Sequence, residues 1–327
     1  MKRFALRALL LCAAGPLCAA LAAMERADSV ALGASVYRIE VPAARGYGLG
    51  SGVAVAPDTV VTNCHVIGDA ESIFVVRGGV RWAATARSRD RDHDLCLLGV
   101  PGLEAPAVRL GQSEQLRPGQ PVTAIGFTGG VGIQVSDGEV VQLHRHDGAR
   151  VIQSSNWFSS GASGGALFDE ERRLVGILTF RLRGGEAHYF STPAEWVARL
   201  VTQPPRVEPE ALGAAPPGLH FWQDGAPSQP LFLRAAVLQQ NARWPELETL
   251  ANGWARRQPA QSEPWALLGT ALEQQGRLQE AHTALTCSAR LAPGDAAMQT
   301  RLVALALALT PIRDDAPSAS PCPAERP

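Results

Sequence analysis

Three widely spaced residues, His65, Asp94 and Ser163, form a set that can carry out acyl transfer. A serine hydroxyl is a weak nucleophile at neutral pH, so it needs a base that takes its proton and later passes it to the leaving group. An imidazole can do this, and a neighbouring carboxylate would hold its useful tautomer and stabilise the imidazolium. We therefore predict His65 as the base, Asp94 as the orienting acid and Ser163 as the nucleophile.

The base and the acid each stand at the end of a predicted strand region. His65 follows two β-branched runs that are joined by a Pro-Asp turn, within residues 50–66, and Asp94 directly precedes the apolar run 95–98. Asp90 and Asp92 are the other carboxylates in this loop. We interpret them as loop residues, because only Asp94 immediately precedes the strand. Short β-branched runs without intervening helices continue to about residue 192, which favours an antiparallel barrel or sandwich.

The nucleophile lies in the glycine-rich segment 160–168. The backbone N–H groups of Gly161 and Ser163 would point at the developing oxyanion, where losing one donor typically costs a factor of about 10² to 10³ in turnover. The same segment fits the nucleophile elbow of lipases and esterases. That elbow requires a helix after the serine and an acid and histidine later in the chain, whereas a charged turn and another strand run follow here.

Together the three segments, in the order His, Asp, Ser, resemble the trypsin-like serine peptidases of the chymotrypsin fold, and their bacterial HtrA-type branch most closely. The resemblance covers roughly residues 35–200. It implies an all-β double six-stranded barrel over residues 30–202, and a serine endopeptidase that forms an acyl-enzyme and uses no metal or organic cofactor. Relatives of this type usually carry PDZ domains after the barrels, and this chain departs from them there.

The resemblance also assigns roles to residues around the triad. It places a Cys64–Cys96 disulfide between base and acid, with two buried free thiols as the alternative. Thr179 matches a hydroxyl that binds the buried acid, unless it is an ordinary strand threonine.

Trp157 would lie at the base of the primary pocket, with Phe180 and Arg181 along its wall. Because no acidic residue stands at the pocket base, we expect a small or medium apolar substrate residue. Ala162 replaces the usual Asp or Asn, so the oxyanion hole must be shaped by loop packing.

The N-terminus predicts export. Residues 1–23 combine a basic start, an apolar run and a small-residue cleavage site, as in a signal peptide, with an uncleaved anchor as the alternative. Leu17 before Cys18 argues against a lipoprotein site. Cleavage would leave four cysteines, Cys64, Cys96, Cys287 and Cys322, which allow three disulfide connectivities in the periplasm or outside the cell. A zinc site is a weaker alternative, because no pair has C-x-x-C spacing.

The C-terminal part has a different pattern. Residues 203–230 are rich in Pro and Gly and predict a linker or an extended strap. Residues 231–310 have helical spacing and a 34-residue repeat that resembles the tetratricopeptide pattern, with an ordinary pair of helical hairpins as the alternative. We expect a small all-α domain that recruits a protein partner or substrate. Its last helix, over residues 298–309, is apolar on more than one face and is therefore expected to pack against another element. The polar tail 311–327 is predicted to be disordered.

Composition excludes several classes of function. The chain of 327 residues has 30 basic and 31 acidic residues and a net charge of −1, which argues against a nucleic-acid partner. Lys2 is the only lysine, so a protein cleaved after residue 23 could perform neither Schiff-base chemistry nor phosphate binding by a Walker loop. The competing hypothesis is a degenerate protease scaffold that acts as a peptide-binding or protein-binding module. A third is an enzyme that stays latent until a partner binds the repeats.

Overall fold

The computed structural model describes residues 26–42, 47–129, 132–182, 189–202, 220–223 and 228–309, together with Cys322. The predicted signal peptide, most of the predicted linker and all of the predicted tail except Cys322 lie outside these residues. The first described element is helix α1 (Arg26–Gly33). Among the described residues, no helix has the length and apolar character needed to cross a membrane.

Six antiparallel strands close into a first barrel in the order β1-β2-β3-β6-β5-β4. They are β1 (Val36–Pro42), β2 (Tyr47–Ala56), β3 (Thr59–Thr62), β4 (Ile73–Arg77), β5 (Val80–Asp90) and β6 (Leu95–Gly99). The predicted Pro-Asp turn joins β2 to β3, and a single helical turn, α2 (Cys64–Ile67), follows β3. Apolar side chains such as Ile39, Val60 and Leu98 fill the interior of this barrel and are completely buried.

The second barrel contains six further strands. They are β8 (Pro121–Thr128), β9 (Gly132–His146), β10 (Ala149–Ser154), β11 (Ala166–Asp169), β12 (Arg173–Arg181) and β13 (Tyr189–Pro193). The sheet order is β11-β8-β9-β10-β13-β12, and the pairing of β11 with β12 closes the ring. A two-residue strand, β7 (Arg109–Leu110), adds a parallel pairing to β12. The expected pair of six-stranded barrels is therefore confirmed.

The sequence located some strands better than others. The β-branched runs at 53–55, 59–62, 95–98 and 174–178 lie within observed strands. Strand β5 was not predicted, because its residues 80–90 are rich in Arg and Ala and only three of them are β-branched or aromatic. Two of its eleven residues are buried. Pairing with neighbours on both sides overrides this weak local preference.

The remaining helices follow the barrels. They are α3 (Ala194–Thr202), α4 (Leu231–Gln240), α5 (Trp244–Arg257), α6 (Ser262–Gln274), α7 (Leu278–Leu291) and α8 (Ala296–Leu309). From α4 onward, each helix packs on the next. Gly269 permits the closest of these approaches, because a Cβ there would lie 2.4 Å from a methyl of Leu285 on the next helix. The structure also joins Cys287 on α7 to Cys322 in the tail.

The last helix packs against another element, as expected, but through one face. Leu305 of α8 is buried, but Val303 is 61% and Leu307 is 70% exposed. Within the described part of the chain, α8 therefore buries one face only. The physical reason is that α7 covers that face, and no described element lies on the opposite side.

Candidate active site

The histidine and aspartate form a closely bonded pair in the first barrel. His65 Nδ1 lies 2.6 Å from Asp94 Oδ2, and the backbone N–H of His65 donates to Asp94 Oδ1 at 2.9 Å. Since an ionised carboxylate only accepts hydrogen bonds, the proton lies on Nδ1. The Asp94 side chain is completely buried, whereas 26% of the His65 side chain is exposed. This arrangement leaves Nε2 as the nitrogen that can act as a base.

Backbone contacts fix the position of the acid. Asp94 has a positive φ of 59°, which aspartate tolerates better than most residues. Its carbonyl accepts hydrogen bonds from the Cys64 amide at 3.2 Å and from Asn63 Nδ2 at 2.9 Å. A disulfide joins Cys64 to Cys96, the residues that flank His65 and Asp94, with 5.0 Å between their Cα atoms. The acid and the base are thus held together by covalent and hydrogen bonds.

The loop that carries Ser163 needs glycine at two positions. Gly161 has φ of 96° and Gly164 has φ of 85°, values that residues with a Cβ rarely adopt. A Cβ at Gly161 would lie 2.6 Å from the carbonyl oxygen of Phe127, and a Cβ at Gly164 would lie 2.1 Å from that of Ser51. The glycine-rich sequence is therefore required for the loop to pass between the two barrels.

The same loop presents two free backbone donors. The carbonyl of Ser160 accepts a hydrogen bond from the Gly129 amide at 2.9 Å. In a trans peptide the N–H points away from the C=O, so the Gly161 amide faces the opposite side. Within the described residues, neither this amide nor that of Ser163 donates to a protein acceptor. Both donors are available to an oxyanion.

The predicted nucleophile, Ser163, is not bonded to the predicted base, His65. Ser163 Oγ donates a long hydrogen bond of 3.4 Å to the carbonyl of Thr179. Among the hydrogen bonds of the described residues, none joins Ser163 to His65. Catalytic hydrogen bonds are often long or poorly aligned without substrate, so this geometry does not by itself remove Ser163 from the triad.

A family model described as a trypsin-like peptidase domain matches residues 50–177, the stretch that contains His65, Asp94 and Ser163. The chain is 30% identical to mouse serine protease HTRA4 over 163 residues, which cover 46% of this chain and 33% of that protein. It is 38% identical over 136 residues to a probable periplasmic DegP-like serine endoprotease of Ectopseudomonas mendocina. The aligned region covers 39% of this chain and 28% of that protein. Residues 50–177 are thus similar to trypsin-like peptidase domains.

The similarity is limited to this domain. The chain spans about a third of the length of the curated relatives that it matches. Among solved structures, an inactive form of Rv3671c from M. tuberculosis aligns with 23% identity and a TM-score of 0.50, over 56% of this chain and 92% of that one. At this identity, the likeness supports the fold alone.

Thr179, two residues beyond the family match, does not contact the acid as predicted. Its hydroxyl donates to the carbonyl of Ile177 at 2.7 Å, lies 3.2 Å from Thr192 Oγ1 and accepts from Asn63 Nδ2 at 3.3 Å. It makes no hydrogen bond with Asp94. The expected hydroxyl–acid contact is therefore absent between these two described residues, because Thr179 is bonded to its own and the neighbouring strand.

The predicted pocket residues are only partly brought together. Trp157 is 54% exposed and lines a small cavity together with Phe158, Ala162 and Leu178. The next residue, Phe158, is buried and packs on Tyr189 with ring centres 5.0 Å apart. Phe180 is buried on β12, and Arg181 beside it is exposed.

A serine that the sequence analysis did not single out joins the two barrels. Ser51 Oγ donates to the Gly161 carbonyl at 2.7 Å and accepts from the Phe127 amide at 2.8 Å. Its backbone N–H donates to the carbonyl of Ser163 at 2.8 Å. Ser51 is completely buried, so its hydroxyl orders the oxyanion loop from the first barrel. Its place in Gly50-Ser51-Gly52, a small polar residue in an otherwise apolar strand, was the available signal.

The second carboxylate of the catalytic loop has a separate partner. His93 Nδ1 lies 2.7 Å from Asp90 Oδ2. Burial alone would raise the pKa of Asp90, but the hydrogen bonds and the charge of His93 outweigh burial and hold this pKa below its ordinary value. At the end of β9 in the second barrel, burial and the nearby His93 lower the pKa of His146. Asp90 thus belongs to this histidine cluster and not to the triad.

The acid also has partners from outside the domain. Trp222 Nε1 donates to Asp94 Oδ2 at 3.1 Å, and His220 Nε2 lies 3.4 Å from Asp94 Oδ1. Both residues belong to the range predicted as a linker or strap. The signal that could have found them is a run of three aromatic rings, His220-Phe221-Trp222, within a Pro-rich and Gly-rich segment.

Proposed function

We propose that this chain is an exported serine endopeptidase that uses His65, Asp94 and Ser163. Two observations carry the proposal: the distance of 2.6 Å between His65 Nδ1 and Oδ2 of the buried Asp94, and the two free amides of the loop that contains Ser163. Activity, substrates and location of the whole protein all belong to this proposal, because the chain matches its relatives over one domain.

In the proposed reaction, Ser163 Oγ attacks the carbonyl carbon of a peptide bond and His65 Nε2 takes the hydroxyl proton. The amides of Gly161 and Ser163 bind the oxyanion of the tetrahedral intermediate. His65 then protonates the leaving amine, which departs and leaves an acyl-enzyme on Ser163. A water molecule then attacks the acyl-enzyme in the same way, which releases the acid product and restores the serine. Asp94 stabilises the imidazolium in both halves.

The nucleophile can be tested by labelling the full chain with a fluorophosphonate and locating the modified peptide by mass spectrometry. An active enzyme is modified at Ser163, and both Ser163→Ala and His65→Ala abolish the label. Ser160→Ala is the matched control. This exposed serine lies in the same loop, and its backbone carbonyl, not its side chain, helps to orient the oxyanion amides. An unlabelled wild-type protein would refute the peptidase proposal.

The alternative is a protease scaffold that binds peptides or proteins without cleaving them. One observation favours it: Ser163 Oγ is directed to the Thr179 carbonyl and not to the imidazole. On this hypothesis the chain binds peptides, but neither Ser163 nor any other serine is labelled at any pH. The labelling experiment therefore separates the two functions.

For substrates, we propose a preference for a small or medium apolar residue before the cleaved bond. The proposal is supported by the lack of an acidic residue at Trp157 and by Arg181, which is exposed beside the buried Phe180 and would narrow the mouth of the pocket. Cleavage-site profiling on an unbiased peptide pool tests it. Cleavage mainly after Lys or Arg would contradict the proposed preference, but not the triad.

Periplasmic relatives and the character of residues 1–23 support export. Expression in a bacterial host, followed by fractionation and N-terminal sequencing, tests this. Export predicts periplasmic protein that begins shortly after residue 23. A full-length protein that stays in the cytoplasmic fraction would contradict it.

For helices α4 to α8, we propose tetratricopeptide-like repeats that recruit a protein partner or substrate. Helices α5 and α7 begin 34 residues apart, as do α6 and α8. Ala242 and Gly276, also 34 apart, both have positive φ, at 51° and 76°. In each copy the following arginine pairs with a glutamate three residues on. These matching details support a repeat more strongly than helix count alone.

The surface proposed for recruitment is a cleft of about 590 Å³ between the second barrel and helices α6 to α8. Its lining includes charged side chains of both signs, among them Glu114, Arg117 and Asp295. Exposed Arg117 can be changed without altering the triad. We expect Arg117→Glu to slow cleavage of unfolded β-casein while leaving cleavage of a short peptide unchanged. Equal effects on both substrates would contradict recruitment through this cleft.

A further inference from the structure

Residues 220–223, here called the strap, lie directly on the catalytic acid although they follow the trypsin-like domain by more than 40 residues. The indole N–H of Trp222 donates to Asp94 Oδ2 at 3.1 Å. This oxygen is the one that accepts from His65 Nδ1 at 2.6 Å. The strap therefore contacts the hydrogen bond between acid and base at its acceptor atom.

Two further hydrogen bonds hold the strap on the loop before the acid. His220 Nδ1 donates to the carbonyl of Arg91 at 2.5 Å, and the Phe221 amide donates to the carbonyl of Asp92 at 3.0 Å. On the other side, Gln229 Nε2 donates to the Trp222 carbonyl at 3.2 Å. These contacts fix the strap backbone, so the Trp222 ring has a defined position over the triad.

Aromatic packing orients the indole ring. Trp222 stacks on Phe180 with ring centres 5.1 Å apart and an angle of 10° between the planes. It meets the His65 ring edge to face, with centres 5.6 Å apart and an angle of 79°. One side chain thus contacts the base, the acid and the strand predicted to wall the substrate pocket.

Burial makes the donor necessary. Asp94 has no exposed side-chain surface, and a buried carboxylate is costly unless its oxygens are hydrogen-bonded. Oδ1 accepts from the His65 amide, while Oδ2 accepts from the His65 ring and from Trp222. The hydroxyl expected in this role, that of Thr179, is bonded elsewhere. Trp222 supplies the missing donor from a different part of the chain.

Few other charged groups face the acid. From α2 it meets His65, and from the strap it meets His220, whose Nε2 lies 3.4 Å from Oδ1. Because a carbonyl only accepts, His220 Nδ1 carries a proton, and Nε2 donates only when the ring is charged. In the loop before Asp94, Arg91 forms an ion pair with Asp69, and Asp90 binds His93. From β12, Thr179 contacts Asn63 and Phe180 contacts Trp222, and both are uncharged.

We propose that Trp222 is a positioning residue of the triad, which makes the strap part of the active site. The inference rests on the proposed peptidase function. The indole N–H keeps Oδ2 directed at His65 Nδ1 and withdraws negative charge from the carboxylate. Without this donor the carboxylate stabilises the imidazolium more strongly, so the His65 ring loses its proton only at higher pH.

The test compares the rate of fluorophosphonate labelling of full-length wild type and Trp222→Phe between pH 5 and 9. The variant keeps an aromatic ring and loses only the donor and part of the ring area. We expect labelling at pH 7 to slow about tenfold, far less than the roughly 10⁴-fold loss when the acid itself is replaced. We also expect the acid limb of the profile to move to higher pH, so that the rate partly recovers by pH 9.

The matched control is Trp254→Phe. Trp254 is buried on α5 and donates its indole N–H to Gln258 at 2.7 Å, away from the triad. This substitution removes the same type of hydrogen bond, and its labelling rate and profile should equal those of wild type. Thermal unfolding of each variant establishes that the fold is retained.

The outcomes separate the inference from the function on which it rests. An unlabelled wild type refutes the peptidase proposal and with it the role of Trp222. A labelled wild type with an unchanged Trp222→Phe rate, or with slowing that is equal at all pH values, overturns the positioning role alone.

If Trp222→Phe does not unfold cooperatively, Gln229→Ala decides, because it loosens the strap and keeps the indole. A smaller shift of its acid limb to higher pH supports the role, and an unchanged profile overturns it.

Discussion

The two barrels differ in how far each depends on the rest of the chain. The interior of the first barrel is filled by residues from within positions 37–105. The second barrel has its own small core, and a larger core combines it with five buried residues of the first barrel, α3, the strap and helices α4 to α6. Phe221 and Phe232 are buried in this shared core beside Phe190 of β13. The helical region therefore completes the second barrel and is not simply attached to it.

A buried polar contact strengthens this union. His144 on β9 lies 2.6 Å from Glu263 on α6 and stacks on Phe232 of α4, with ring centres 4.6 Å apart. The first barrel holds its acid and base by bonds between neighbouring segments. The serine loop of the second barrel is held by bonds within that barrel, such as the one from the Gly164 amide to the Leu178 carbonyl, and by Ser51 from the first barrel. The comparison leads to four predictions, in order of decreasing effect.

The largest effect is expected from changing the acid in the first barrel. In Asp94→Asn the amide can donate to His65 Nδ1, which favours the wrong tautomer, and turnover should fall about 10⁴-fold. Asp92→Asn is the matched control, since this exposed side chain is two residues away and should leave turnover within about twofold. Peptidase kinetics on one peptide measure both. Equal losses in the two variants would show that Asp94 has no special role.

The shared core is tested by Phe232→Ala. Removing this buried ring from between His144 and Phe190 should lower the free energy of unfolding by about 3 to 5 kcal/mol. Because the core is shared, the second barrel and the helices should lose stability together in denaturant titrations followed by tryptophan fluorescence and circular dichroism. A separate early transition of the helices, with the barrel unaffected, would contradict a shared core.

The bridge between the barrels is tested by Ser51→Ala. This change leaves the Gly161 carbonyl and the Phe127 amide without their buried partner, at a cost of about 2 kcal/mol, and should slow turnover about tenfold. Ser88→Ala is the matched control: Ser88 is equally buried, but its hydroxyl has no partner in the described structure. We expect the control to be neutral or slightly stabilising. Similar losses for both serines would remove Ser51 from the active-site framework.

The smallest effect concerns the histidine cluster between the barrels. Burial and His93 lower the pKa of His146, while the Asp147 carboxylate opposes them. The unfolded chain therefore binds a proton first as the pH falls below the ordinary value of 6.5, and stability is lost in that range. His146→Phe should flatten the fall in melting temperature between pH 7 and 5, relative to each protein's own value at pH 8. An unchanged slope would contradict this.

The sequence was sufficient for some parts of the site and not for others. The positions of His65, Asp94 and Ser163 follow from short local motifs, and their chemistry restricts the residues that can stand there. Trp222 contacts Asp94, 128 positions away in the sequence. Ser51 contacts Gly161, 110 positions away. Nothing in a local pattern encodes such a pairing. The exposure of Trp157 was not predictable for the same reason, because spacing from Ser163 fixes the backbone position but not the direction of a side chain.

The position of the strap in the chain also bears on the order in which the enzyme is completed. A chain is synthesised from its N-terminus, and domains generally fold in that order. The base, the acid and the nucleophile all precede residue 164, whereas the indole that reaches Asp94 lies at position 222. A growing chain therefore contains the whole triad well before it contains this donor. The hydrogen-bonding shell of the acid is finished late in translation.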